Sequence, residues 1–205
     1  MENHFNVIPL FSIPLIDFRI FDLCNDVEKL FFTVTESDWI EVNSWNNITK
    51  NKFILFEDTN LLDKIEDIST QLISNLLGTS SSLQVTTSWF TRTPPGERGN
   101  PHSHTNSWWS GVYYFRDNTS AIKFEQFDRG VMIPHEINMD NPFNSSSFVL
   151  SPQKGTLVLF PSHLIHSIQK NNTDSNRHSL AFNLMPDGEI GIGDSWFNYK
   201  KIISQ

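Results

Sequence analysis

The chain has 205 residues, 38% hydrophobic and 19% charged, and its 15 Lys and Arg against 23 Asp and Glu give a formal net charge of -8. An acidic balance without a dense Lys/Arg cluster is unsuited to tracking a phosphate backbone, so no nucleic-acid partner is expected. The single cysteine, Cys24, has no partner for an internal disulfide and suits a reducing cytosol, and no run of about 18 apolar residues predicts a membrane helix.

In chain order, Val7 to Ile20 is apolar but lacks a basic leader and is interrupted by Pro9 and Pro14. It reads as an edge strand or extended lead-in rather than a signal peptide, and the expected location is cytoplasmic. Helical spacing of Leu23, Val27, Leu30 and Phe31 predicts a short helix over 22–32, with Asp22 as its N-cap. The polar stretch that follows, with Trp39, Trp45 and the asparagines between Asn43 and Asn51, reads as loop. A second helix is predicted over 60–77, where Leu61, Leu62, Ile65, Ile68, Leu72, Ile73, Leu76 and Leu77 recur on one face and Gly78 supplies the stop.

From Leu83 the period changes to two: Leu83, Val85, Thr87 and Trp89 share one parity, opposite Gln84, Thr86 and Ser88, which predicts a half-buried strand. Pro94 to Gly99 is a turn or loop. Further strands are expected at 110–115, 121–127, 148–150, 156–160, 167–169 and 179–184, with a Pro- and Asn-containing loop from about Pro134 to Ser147. Many short strands with close turn signals, and a core rich in Phe and Trp, predict an all-β sandwich or barrel preceded by two helices. The length fits one domain over 1–205, comprising a helical N-terminal segment (1–80), a β core (83–184) and a C-terminal extension (185–205).

The chemistry gathers between His102 and Ser179. On a strand, residues two apart share a face, so His102 and His104 can direct two imidazoles at one ion. Such a pair also occurs as hydrogen-bonded rim residues. His166, just past the strand between Gly155 and Pro161, supplies a third imidazole that a sheet fold can return to the same place. Arg177 follows, with Ser179 on its strand face, and a guanidinium beside a hydroxyl is suited to gripping a carboxylate.

With these residues in view, the chain resembles Fe(II)- and 2-oxoglutarate-dependent dioxygenases of the double-stranded β-helix (jelly-roll, cupin-like) type, in particular their prolyl-hydroxylase-like phage and marine-bacterial group. The likeness runs over residues 83 to 184, through Ser88-Trp89-Phe90, His102-x-His104-x-Asn106-Ser107, Ser110-Gly111-Val112-Tyr113-Tyr114, Gly155 to Ser162, His166 and Arg177 to Asn183. The resemblance implies a mainly β double-stranded β-helix with supporting N-terminal helices. It further implies a hydroxylase that uses Fe(II) as metal, 2-oxoglutarate as cosubstrate and ascorbate in support. His102 and His166 would ligate the iron, Arg177 and Ser179 would hold the cosubstrate's distal carboxylate, and Tyr114 would contact the cosubstrate. The substrate would be a prolyl residue or a small metabolite, with no membrane partner.

Position 104 departs from that pattern, for most of the superfamily has Asp or Glu where this chain has His104. Three neutral imidazoles neutralise none of the metal's charge, and three-histidine sites also suit zinc. Two alternatives therefore stand beside the oxygenase: a three-histidine, cupin-like metalloenzyme that does not use 2-oxoglutarate, and a non-catalytic β-helix binding module. His178 should face away from the site by strand parity, and His163 reads as structural or exposed. His4 and His135 have no partners in sequence. Trp108 and Trp109 either line an entrance or pack in the core, and Asn106 is a candidate to orient a histidine.

Overall fold

The protein is known from a computed structural model, in which residues 12–42, 46–126, 141 and 143–199 are described. The expected loop over 134–147 falls mainly outside these residues, as do His4, His135, Trp45 and the lead-in up to residue 11. The elements in chain order are β1 (Ile16–Arg19), α1 (Cys24–Phe31), β2 (Trp39–Val42), β3 (Asn46–Thr49), α2 (Thr59–Leu77), β4 (Leu83–Thr93), β5 (Trp109–Tyr114), β6 (Ile122–Glu125), β7 (Ser147–Leu150), β8 (Thr156–Pro161), β9 (Ile165–Ile168), β10 (Arg177–Pro186), β11 (Gly188–Ile190) and β12 (Phe197–Tyr199). Seven strands form an antiparallel sheet in the order β1-β8-β5-β10-β4-β3-β2, a smaller sheet has the order β7-β6-β9, and β11-β12 is a separate hairpin. This is a mainly β fold of the double-stranded β-helix type with two supporting helices. No helix among the described residues is long and apolar enough to cross a membrane.

Both helices form where the apolar spacing predicts them. In α2 the Asp58 side chain accepts from the Leu61 N–H at 3.1 Å, and the helix stops at Gly78, whose φ of 67° is left-handed. Its buried stripe of Leu61, Leu62, Ile65 and Ile73 packs on the outer face of the large sheet, among Leu83, Val85, Phe90, Leu180, Phe182 and Leu184. The N-cap of α1 is Leu23 rather than Asp22, and no side chain caps it. A backbone bond from Cys24 N–H to Phe21 C=O turns the chain into this helix instead.

Two expectations yield to tertiary pairing. The Asn-rich stretch expected as loop contains the hairpin β2–β3, because Asn47 and Ile48 pair with Arg92 and Thr91 of β4; ladder bonds to a long neighbour outweigh the poor strand propensity of asparagine. The single parity expected from Leu83 to Trp89 is also broken. β4 pairs with β10 through a register shift at Asn183/Leu184, where Asn183 faces Thr87 and Leu184 faces Val85, so Thr86 is an extra residue. Leu83 and Val85 consequently join the helix-side core, whereas Trp89 packs in the second core between the sheets, with Val112, Tyr114, Phe124, Val158, Phe160 and Ala181.

Gly111 permits the tightest of these contacts. A Cβ at that position would lie 2.2 Å from the ring of Phe182, which is fully buried across it on β10.

Candidate metal centre

The inner face of the large sheet is a lattice of side chains set by register. Thr93 lies opposite Arg177, Thr91 opposite Ser179, and Trp89 opposite Ala181, while Val112 on β5 flanks Ala181 from the other side. The smaller sheet closes over this face and carries His166 on β9, one residue inside the strand rather than in the connection before it. Between the sheets lies a cavity of about 360 Å³ lined by all three histidines, Trp89, Tyr114, Phe160, Arg177 and Ser179.

His102 and His104 come from the loop between β4 and β5, and backbone bonds hold that loop in place. His102 and His166 exchange N–H···O=C bonds of 3.0 and 2.9 Å, and the His104 N–H donates to Ser162 C=O at 2.9 Å. The ring centroids lie 4.4 Å apart for His102–His166, 5.1 Å for His102–His104 and 5.2 Å for His104–His166. One ring nitrogen of each lies within 4.8 Å of the others, and no carboxylate joins the group among the described residues.

Second contacts prepare two of the rings for a metal. His102 Nδ1 donates to Asn100 C=O at 2.9 Å and His166 Nδ1 to Leu164 C=O at 3.0 Å, which leaves each Nε2 lone pair available. Burial, reinforced by neighbouring His102, pushes His104 down to about 4 and His166 down to about 3. Both are neutral at pH 7 and have no proton to displace when a cation arrives. Asn106, a candidate to orient a histidine, is exposed and takes a turn conformation at φ 58°. The backbone carbonyls do that work. Trp108 and Trp109 belong to the helix-side core and line no entrance, His178 packs on the outer face against Phe31 and Trp39, and His163 is exposed.

Arg177 is 1% exposed, and no Asp or Glu pairs with it among the described residues. Its Nη1 donates to Thr91 Oγ1 at 2.9 Å, and Thr91 in turn shares a 2.7 Å hydrogen bond with Ser179 Oγ. Thr91 was not singled out in the sequence, although it shares its strand face with Trp89. The guanidinium carbon lies 5.1 Å from the Tyr114 ring centroid, and among the described residues neither the buried Arg177 Nε nor the buried Tyr114 hydroxyl has a hydrogen-bond partner. Burial lowers the Arg177 pKa and raises that of Tyr114, each shift opposed by the other group. A buried cation with an idle donor, beside an idle hydroxyl, has the chemistry to receive an anion.

A family model described as "Putative 2OG-Fe(II) oxygenase" matches residues 87–183, the segment that carries all three histidines and Arg177. Over that segment the chain is similar to the 2OG-Fe(II) oxygenase superfamily. Solved structures agree on the fold at low identity. A 2OG-Fe(II) oxygenase family oxidoreductase from Burkholderia pseudomallei superposes with a TM-score of 0.60 at 11% identity, covering 83% of each chain. HygX from Streptomyces hygroscopicus, solved with nickel, 2-oxoglutarate and hygromycin B, gives 0.59 at 10% identity, with 85% of this chain and 83% of that one covered. A Pseudomonas putida prolyl-4-hydroxylase gives 0.55 at 14% identity, covering 85% and 94%. No curated protein matches the sequence. The fold shared with these structures and a three-histidine cluster able to hold a transition metal support an enzymatic, metal-dependent activity.

Proposed function

We propose that this chain is a metal-dependent oxygenase whose ion is held by His102, His104 and His166 and whose anionic ligand is a carboxylate seated on Arg177. The observation that carries this reading is the sharing of one cavity by three ring nitrogens and a buried guanidinium that has no carboxylate partner among the described residues. A donor set without a carboxylate fits a three-histidine metalloenzyme that does not use 2-oxoglutarate better than it fits a two-histidine, one-carboxylate hydroxylase. Three neutral ligands leave the full charge of a divalent ion, so a bound carboxylate is the natural counter-charge.

A second reading, in which that carboxylate belongs to 2-oxoglutarate, is favoured by the idle Arg177 Nε and Tyr114 hydroxyl. It also has a parallel in HygX, whose structure contains 2-oxoglutarate. When bound, Fe(II) would supply the one-electron and dioxygen chemistry that side chains lack. The chain's own part is positional. The carbonyls of Asn100 and Leu164 fix two imidazoles, Arg177 and Thr91 orient the anion, and Trp89, Val112 and Phe160 keep water from the floor of the cavity. The substrate, on either reading, is a small molecule or a peptide segment, a prolyl residue included.

Oxygen uptake after anaerobic loading with Fe(II), with ascorbate to keep the iron reduced, separates the two. Succinate formed from 2-oxoglutarate supports the second reading. Stoichiometric iron without 2-oxoglutarate turnover or binding supports the first. Failure to bind any divalent transition metal overturns both.

A further inference from the structure

We infer that Asn46 of β3 donates a hydrogen bond to the same carboxylate that Arg177 holds, so that the anion clamp has an arm outside the segment matched by the family. The inference rests on the reading that a carboxylate occupies Arg177. Three observations carry it. Asn46 lines the cavity with Arg177 and the histidines. Its Oδ1 accepts from Thr93 Oγ1 at 2.9 Å, which fixes the rotamer and leaves the Nδ2 amide as the idle end, donating to none of the described residues. The register then places it, since β3 pairs Asn47 with Arg92 and Ile48 with Thr91, so Asn46 stands beside Thr93, and Thr93 stands opposite Arg177.

Neighbouring strands are about 4.8 Å apart, so Asn46 and Arg177 start about 10 Å apart at the backbone. The arginine crosses part of that gap, because its Nη1 reaches Thr91 on β4, the strand between them and two residues along from Thr93, and a carboxylate seated there would span the remainder. A carboxylate on this guanidinium would be flanked by the Tyr114 hydroxyl from β5 and by the Asn46 amide from β3. An amide adds donors without adding charge, which suits a site where Arg177 already supplies the cation. Pinning β3 to β4 uses Oδ1 alone and leaves Nδ2 without a structural task among the described residues.

That division of labour makes Asn46→Asp the deciding variant, since aspartate keeps the acceptor for Thr93 and replaces the donor with an anion. The experiment titrates 2-oxoglutarate and glutarate into the full chain loaded with Mn(II), with metal affinity and melting temperature as internal controls. Wild type should bind at least one probe, and Arg177→Ala should not. Asn46→Asp should bind about a hundredfold more weakly and Asn46→Ala about tenfold, with metal affinity unchanged. Binding by Asn46→Asp within about twofold of wild type overturns the inference and leaves the clamp on Arg177 intact. Equal losses of metal and carboxylate affinity in both variants also overturn it, because a general disturbance of the hairpin would move the two together. If wild type holds metal but binds neither probe, the carboxylate reading of Arg177 falls and this inference falls with it.

Discussion

Arg177 stands in the fold as a buried cation without a carboxylate partner among the described residues, and such a group costs stability as long as no anion is bound to it. Replacing it with an apolar side chain of similar length should stabilise the ligand-free protein. Arg177→Met is expected to raise the unfolding free energy by about 1–3 kcal/mol, read from urea denaturation, while abolishing carboxylate binding. A destabilised Arg177→Met would mean that the Thr91 hydrogen bond outweighs the desolvation of the charge.

The histidines make a second prediction at this scale. His104 and His178 are held at about 4 and His166 at about 3, burial being the main cause in each, whereas all three titrate near the ordinary value of 6.5 when unfolded. Folded values below unfolded ones mean that the unfolded chain takes up more protons between about pH 6.5 and 4. Their stabilisation is therefore complete above that window and is lost as pH falls through it, at up to about 1.4 kcal/mol per pH unit for each residue. Urea midpoints of the metal-free protein from pH 7.5 to 4.5 should show this slope, and His178→Gln should reduce it by about one proton. An unchanged slope in that variant would place His178 in a more polar setting than its packing on Phe31 and Trp39 indicates.

At the level of elements, what could be read in advance follows the range of the forces involved. The two helices are local objects, written in a 3.6-residue apolar repeat and a terminal glycine, and they form where that repeat predicts. The strands around the site were also legible, because β-rich runs such as Trp109–Tyr114 and Thr156–Pro161 sit between turn signals. The hairpin at 39–49 was not, since its asparagines read as loop until β4 is present to pair with them. The extra residue at Thr86 was equally hidden, because alternation through Leu83, Val85, Thr87 and Trp89 is unbroken in sequence and only the pairing with β10 reveals the switch of faces. Thr91 and Asn46 were missed for the same reason: each gains its place in the cavity from a neighbour far along the chain.

Two substitutions test these element-level assignments. Asp58→Ala removes the N-cap of α2 and should cost about 1 kcal/mol. Gly111→Ala drives a methyl into the ring of Phe182 and should cost about 1–3 kcal/mol or more, both read from denaturant unfolding. A neutral Gly111→Ala would show that Phe182 can move aside.

For the molecule as a whole, the sheets bring residues that are distant in sequence to one cavity: His102 and His104 from a loop, His166 from the smaller sheet and Arg177 from the centre of the larger one. The histidines and Arg177 could be chosen in the sequence by spacing and resemblance, but their convergence is a property of the folded sheets. On the proposed reading three imidazoles hold the metal, with no carboxylate among the described residues beside them. The most direct test is bound metal per chain after anaerobic loading with Fe(II), compared among wild type, His166→Ala and His104→Ala. The expected result is one ion per wild-type chain, none retained by His166→Ala, and an affinity for His104→Ala weakened by about tenfold to a hundredfold or more. Full iron occupancy with unchanged affinity in His104→Ala would contradict it.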